Sequence, residues 1–321
     1  MSVDILDVDL LAFERGSVAA RAAVVDGVMR SLATGFVFTT SDLSEDLLDT
    51  AYAMLGEFFA LPVDRKVRSH APDAHGQTGY TGLLVETAAT AQVADWKEML
   101  NWGRTAPLHH PLRRRYPHQY ADQIIPEAEV PGIGAVLAEF HDRLAELQTR
   151  FLRIIAVGLG VDESFFDSMV RDGATLSRAI RYPAMADSPG GGEAGHVWSA
   201  EHGDINLITA LPRATERGLQ VRFAGEWVDA MPPERHVILN TGFMLERITN
   251  ARLPAGWHRV VSADPSVERM SVVQFLHPSP WTILSPLSTC VTDDRPQRWA
   301  PMEAGAMLDQ VLWDINLVQA P

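Results

Sequence analysis

The 321-residue chain holds a single cysteine, Cys290, and only two lysines, Lys66 and Lys97. One thiol excludes an internal disulfide and any zinc or iron–sulfur site built from several cysteines, and it points to a reducing compartment, read here as the cytoplasm. Lysine is so scarce that nearly all of the 27 basic residues are arginine, so an anion site in this chain is expected to use a guanidinium. Positive charge as a whole is short: 27 basic against 41 acidic residues leave a formal net charge of −14. Such a surface argues against a nucleic-acid backbone or an anionic membrane as partner. There is no run of about 18 uncharged apolar residues, so no membrane span is expected. Residues 1–9 alternate acidic and apolar side chains and lack the basic-then-apolar order of a secretory signal. Internal repeats and low-complexity tracts are also missing. Gly190-Gly191-Gly192 does not sit between a strand and a helix, as a phosphate-cradling loop would.

The material that is present, 46% hydrophobic and 21% charged residues, is enough for a sizeable core. Apolar residues recur at helical spacing over 17–34, where Gly35 stops them. Ser44 is placed to cap a second helix running to about Ala60, and the longest helical pattern covers 133–159, closed by Gly158 and Gly160. After Phe166 short β-type runs alternate with turns, at 177–182, 205–211, 219–223, 236–240, 258–262 and 271–276; a last helix is expected over 304–317. This order predicts an α+β chain with a mainly β core, an antiparallel barrel or sandwich flanked by N-terminal helices and a C-terminal helix. It reads as one domain: a helix-rich part over 1–170, a β core over 171–285 and a C-terminal lid or helix over 286–321.

The strongest chemical signal is His202-Gly203-Asp204, with His258 downstream. In a strand, residues i and i+2 share a face, so His202 and Asp204 would project together. Two imidazoles and one carboxylate on one face of a metal suit non-haem Fe(II), which needs open positions for other ligands. The plainer alternative is a chance His-x-Asp with an ordinary surface histidine. Arg269-Met270-Ser271 opens an apolar run eleven positions after His258, and the same alternation puts Arg269 and Ser271 on one face. A guanidinium fork with a hydroxyl beside it suits a carboxylate. The alternative there is an ion pair with Glu268 or Asp264.

At this point the chain resembles the Fe(II)/2-oxoglutarate-dependent oxygenases of the isopenicillin N synthase-like family. The similarity runs from His202-Gly203-Asp204 through Gly225-Glu226-Trp227-Val228, Asn240-Thr241-Gly242 and Trp257-His258-Arg259-Val260 to Arg269-Met270-Ser271 and His277-Pro278. Upstream, Gly79-Tyr80-Thr81-Gly82 and Asp95-Trp96-Lys97-Glu98 also match, and 78–92 looks most like bacterial antibiotic-pathway members such as deacetoxycephalosporin C synthase. The resemblance implies a double-stranded β-helix (jelly roll). It implies that His202, Asp204 and His258 bind Fe(II), and that Arg269 and Ser271 hold the far carboxylate of 2-oxoglutarate with Tyr182 near it. Ile180 stands where many members have Asn. If Tyr182 faces the barrel interior, so does Arg178, two residues earlier in the strand. Arg178 would then be placed to bind an anionic group of the substrate; a structural ion pair is the alternative.

The implied reaction couples oxidation of an unactivated C–H in a small molecule to conversion of 2-oxoglutarate and O2 into succinate and CO2, as in natural-product biosynthesis. Arg-x-Ser also occurs in isopenicillin N synthase, so an Fe(II) oxidase that needs no 2-oxoglutarate is the rival, and a barrel that binds without catalysis is a third reading. His196, Trp198 and Trp313 read as loop or packing residues with the option of lining the pocket, and 95–98 reads as barrel wall. The substrate and the oligomeric state are open.

Overall fold

The computed structural model describes residues 5–74, 76–88, 90–186 and 197–314, with 312–314 by backbone only. Gly190-Gly191-Gly192 and His196 lie outside the described residues, as does the Trp313 side chain. Two main sheets form the core. The larger takes β1 (Asp7–Asp9), β2 (Phe36–Thr40), β3 (Gly79–Thr81), β4 (Glu98–Gly103), β5 (Leu176–Tyr182), β7 (Ile208–Ala214), β10 (His236–Thr241) and β12 (Arg269–Leu276), in the spatial order β1-β2-β10-β7-β12-β5-β4-β3. The smaller has the order β6-β11-β8-β9, with β6 at Ser199–His202, β8 at Leu219–Phe223, β9 at Glu226–Asp229 and β11 at His258–Val260. Pairing is antiparallel except between β1 and β2.

Period-two alternation gives the inner strands of the large sheet two buried faces. Phe36 and Phe38 of β2, Ile180 and Tyr182 of β5 and Ile238 of β10 join Leu219, Val221 and Val260 of the smaller sheet, with Trp198 just before β6, in one core between the sheets. Their alternates Val37, Ala179, Val237, Leu239 and Val272 pack with the helices in a second core. The structure is therefore a jelly roll with helices on one outer face.

The helix Ile133–Leu159 contributes more of that second core than any other element, because Ile133, Leu137, Phe140, Leu144, Leu147, Phe151 and Ile154 recur every three or four residues along one stripe. It ends where Gly160 takes a left-handed conformation with φ 72°. Each fully buried Leu or Phe there contributes roughly 1.5–3 kcal/mol. Polar bonds fix its register on the sheet: Trp102 Nε1 donates to Leu137 O at 2.9 Å, and Gln274 Nε2 on β12 donates to His141 O at 2.9 Å.

Several boundaries differ from the sequence reading. The run expected over 205–211 is a strand only from Ile208, because 203–207 turns to bring Asp204 inward. The helix Phe243–Ile248 and the strand Gly79–Thr81 were not anticipated.

Candidate active site

A cavity of about 320 Å³ opens between the sheets, and His202, Asp204 and His258 lie on its wall. His202 and His258 come from β6 and β11, where they are direct cross-strand partners, with ring centroids 4.3 Å apart. β6 ends at His202, so strand alternation is not what aims Asp204. The turn does so: Phe243 N donates to Asp204 O at 2.8 Å, and a Cβ on Gly203 would lie 2.8 Å from the Phe243 ring. Only glycine between the two side chains allows that close approach without displacing the ring.

The hydrogen bonds around the three side chains leave one open donor atom on each. His202 Nδ1 sits 2.7 Å from Ala200 O and His258 Nδ1 3.0 Å from Gly256 O, so each Nδ1–H is committed to a carbonyl and each Nε2 lone pair is free. Asp204 Oδ2 accepts from Thr209 Oγ1 at 2.6 Å and Asn240 Nδ2 at 2.7 Å, and those two residues are themselves cross-strand partners on β7 and β10. That leaves Asp204 Oδ1, 4.0 Å from both histidine Nε2 atoms. The three open atoms lie within 4.8 Å of one another. Burial and the neighbouring His258 push His202 down to about 4. Burial opposes the Asp204 charge, but His258, His202 and the two hydrogen bonds outweigh it and hold the carboxylate below its usual range. Two imidazoles that each present Nε2 beside an ionised carboxylate form a donor set suited to a divalent metal with open positions.

Across β12 and β5 the register pairs Arg269 with Tyr182, Ser271 with Ile180 and Val273 with Arg178, so Arg269, Ser271, Tyr182 and Arg178 share the inward face and all line the cavity. Arg269 is 2% exposed and has only neutral partners: Nη1 donates to Ser271 Oγ at 2.9 Å, Nε donates to Glu216 O at 3.1 Å, and its guanidinium carbon stands 5.3 Å from the centre of the Tyr182 ring. The acidic alternative does not form, because Glu268 bonds to Arg181 on the outer face. A buried cation without an acidic partner among the described residues calls for an anion.

Arg178 is half-enclosed, with Nε donating to Asn101 Oδ1 at 2.7 Å and Nη1 3.5 Å from Glu86 Oε2. Glu86, Asp95 and Lys97 also line the cavity; alternation at Asp95-Trp96-Lys97 could have placed the last two together, but no periodic signal marks Glu86. Asp95 Oδ1 accepts from Ala200 N at 2.9 Å, two residues before His202. Trp198 is core, stacked 5.5 Å from Tyr182.

With this geometry established, likeness to known proteins follows it closely. The sequence profile of the 2OG-Fe(II) oxygenase superfamily matches residues 176–278, and that of the N-terminal region of non-haem dioxygenase in morphine synthesis matches 3–127. A crystal structure described as of a 2OG-Fe(II) oxygenase family protein from Caulobacter crescentus is 31% identical, covers 98% of this chain and 99% of its own, and superposes with a TM-score of 0.85. The chain belongs to the 2OG-Fe(II) oxygenase superfamily. Mugineic-acid 3-dioxygenase of Hordeum vulgare is 25% identical over 92% of this chain and 81% of its own length. The fold is also that of a full-length Neurospora crassa protein solved in complex with alpha-KG, at 24% identity, a TM-score of 0.84 and 98% coverage of both chains. The oxygenase is thus a non-haem Fe(II)- and 2-oxoglutarate-dependent dioxygenase acting on a small molecule with O2, and the 2-oxoglutarate-independent rival is not favoured. Among the described residues no helix is long and apolar enough to cross a membrane.

Proposed function

We propose that His202, Asp204 and His258 hold Fe(II), that Arg269 and Ser271 with Tyr182 bind the far carboxylate of 2-oxoglutarate, and that Arg178 contacts the substrate. The whole chain acts as one domain on a natural-product intermediate, hydroxylating it, desaturating it or changing a ring. The subgroup is isopenicillin N synthase-like, and the lone buried Cys290 suits a cytoplasmic, reducing setting.

The observation that carries this reading is Arg269, a guanidinium 2% exposed on the cavity wall with neutral partners only among the described residues. A carboxylate arriving there completes a buried ion pair and receives donors from Arg269 and Ser271 together. The two histidine Nδ1–H bonds to Ala200 O and Gly256 O keep the imidazoles aimed before any ligand arrives. Phe36, Phe243 and Trp257 exclude water from the reacting carbon. When bound, iron with 2-oxoglutarate and O2 supplies the oxidant for an unactivated C–H bond, and 2-oxoglutarate leaves as succinate and CO2.

The test is succinate release screened over amino acids, peptides and pathway intermediates. One succinate per oxidised product is expected, and Arg269→Met should raise the KM for 2-oxoglutarate while the metal still binds. Full oxidation without 2-oxoglutarate would replace this reading by an oxidase of the isopenicillin N synthase kind.

A further inference from the structure

The part of the cavity wall nearest His202 carries four charged side chains whose sum is zero: Lys97 and Arg178 against Glu86 and Asp95. Their pairing is uneven. Lys97 Nζ is 2.7 Å from Asp95 Oδ2 and 2.8 Å from Glu86 Oε1, so its charge is neutralised between two carboxylates. Among the described residues Glu86 Oε2 is left with one approach, 3.5 Å from Arg178 Nη1, well beyond the 2.7–2.9 Å of a charge-assisted hydrogen bond. Arg178 has committed Nε to Asn101 and lies 5.3 Å from the Phe275 ring, and its Nη2 donates to no protein acceptor among the described residues. Glu86 is ionised: burial opposes its charge, but Lys97 and then Arg178 outweigh that and hold it at about 2. Asp95 Oδ1 accepts from Ala200 N at 2.9 Å, two residues before His202, which puts this wall beside the side chains proposed to hold the metal.

A simple carboxylate bound to Arg178 would therefore have an ionised carboxylate as its neighbour and no net positive field from the wall. A group that offers a donor to Glu86 and an acceptor to Arg178 meets no such repulsion. We infer that Glu86 and Arg178 act together as a specificity clamp for a substrate that carries a hydrogen-bond donor beside an acceptor: the N–H and C=O of an amide or lactam, or the ammonium and carboxylate of an amino acid. The inference rests on the reading of this cavity as the iron and 2-oxoglutarate site. It narrows the anionic substrate expected for Arg178 alone, because Glu86 was not part of that expectation. Phe36, Phe243, Trp257 and Leu308 give the same cavity apolar surface that suits a ring or aliphatic body attached to that polar edge.

The test is equilibrium binding to the Mn(II)-loaded full chain, by calorimetry without turnover, using three ligands of similar size: δ-valerolactam, L-proline and cyclopentanecarboxylate. Leaving a buried charge without its partner costs about tenfold or more in affinity. The lactam or proline should therefore bind wild type about tenfold or more tighter than the carboxylate; which of the two binds separates a neutral amide from a zwitterion. Glu86→Gln leaves the wall positive and should reverse that order, and Arg178→Gln should weaken every ligand. The affinity for 2-oxoglutarate, titrated separately, should stay within about twofold in both variants, since neither residue touches Arg269. The clamp is overturned if the carboxylate ranks first on wild type, if Glu86→Gln leaves the ranking unchanged, or if no ligand binds while 2-oxoglutarate does. Ranking on the wild-type chain decides the matter even if a variant fails to fold. Loss of 2-oxoglutarate binding in wild type would instead overturn the functional reading, with the ligand ranking still reporting on Glu86 and Arg178.

Discussion

Two regions of one cavity treat charge in opposite ways. At the side chains proposed to hold Fe(II) and at Arg269, the protein stops short of pairing: Asp204 keeps one oxygen open, both histidines keep Nε2 open, and Arg269 has no acidic partner among the described residues. At the neighbouring wall, Lys97, Asp95, Glu86 and Arg178 are joined in a chain whose charges cancel. Burial costs a charge several kcal/mol unless something compensates it. The first region leaves that compensation to ligands, and the second supplies it from within. Removing a charge should therefore have opposite consequences for stability in the two regions.

The largest effect is expected at Asp204. Asp204→Ala removes the only carboxylate of the donor set, and metal affinity should fall by more than about 100-fold, beyond what loss of an outer partner costs. Metal content after dialysis and succinate release would both read this; near-stoichiometric iron in the variant would contradict the assignment.

The comparison itself is tested by two methionine substitutions at buried cations. Lys97→Met leaves Asp95 and Glu86 facing each other without their shared cation and should destabilise the protein by about 3–5 kcal/mol. Arg269→Met removes a buried charge that lacks an acidic partner, so the ligand-free protein should be as stable as wild type or up to about 2 kcal/mol more stable, while 2-oxoglutarate binds about 30-fold or more weakly. Urea unfolding of the metal-free chains would measure the first pair of values. Equal losses in both variants would erase the distinction.

A smaller effect depends on pH. Burial pushes His141 down to about 4, from an ordinary 6.5, with Nδ1 2.9 Å from Ser177 Oγ. The folded state thus resists a proton that the unfolded chain accepts. Stability should be unaffected by this group above about pH 6.5, fall by about 1.4 kcal/mol per pH unit as pH drops toward 4, and level off below that. His202 and His277, both also held at about 4, act in the same direction. His141→Gln should flatten the slope of unfolding free energy between pH 6.5 and 4 in the metal-free protein by that amount; an unchanged slope would show that His141 does not contribute.

How far the site was legible follows from how regular each piece of backbone is. Arg269, Ser271, Tyr182 and Arg178 sit in β12 and β5, two long uninterrupted strands, so counting by twos identified their shared face correctly. The His202 and Asp204 pairing was readable as a motif, but the reason offered for it was incomplete, because the strand ends at His202 and the turn at Gly203 does the aiming. The long helix was readable to the residue, since its stripe is regular and Gly160 ends it in a left-handed conformation. Glu86 was not readable. It lies in a non-repetitive segment between β3 and β4, and its partners Lys97 and Arg178 are 11 and 92 residues away in the chain. The lysine shortage had a structural counterpart that composition could not show: both lysines are buried, Lys66 beside Glu98 and Lys97 between Asp95 and Glu86.

The smallest expected effect belongs to the outward neighbour of Arg178. Arg181 lies on the other face of β5, bonded to Glu98 Oε1 at 2.8 Å and Glu268 Oε2 at 2.6 Å. Glu98 keeps two further partners, Lys66 Nζ at 2.7 Å and Tyr80 OH at 2.6 Å, so Arg181→Ala does not leave it unpaired. Arg181 is also partly open to solvent, which screens its share of the pairing, so the loss should be about 1 kcal/mol or less. Substrate KM should not change, because the side chain does not line the cavity. Three residues away, Arg178→Gln should raise substrate KM. If Arg181→Ala raised KM to the same extent, the difference between the two faces of β5 would be packing alone and not access to the substrate.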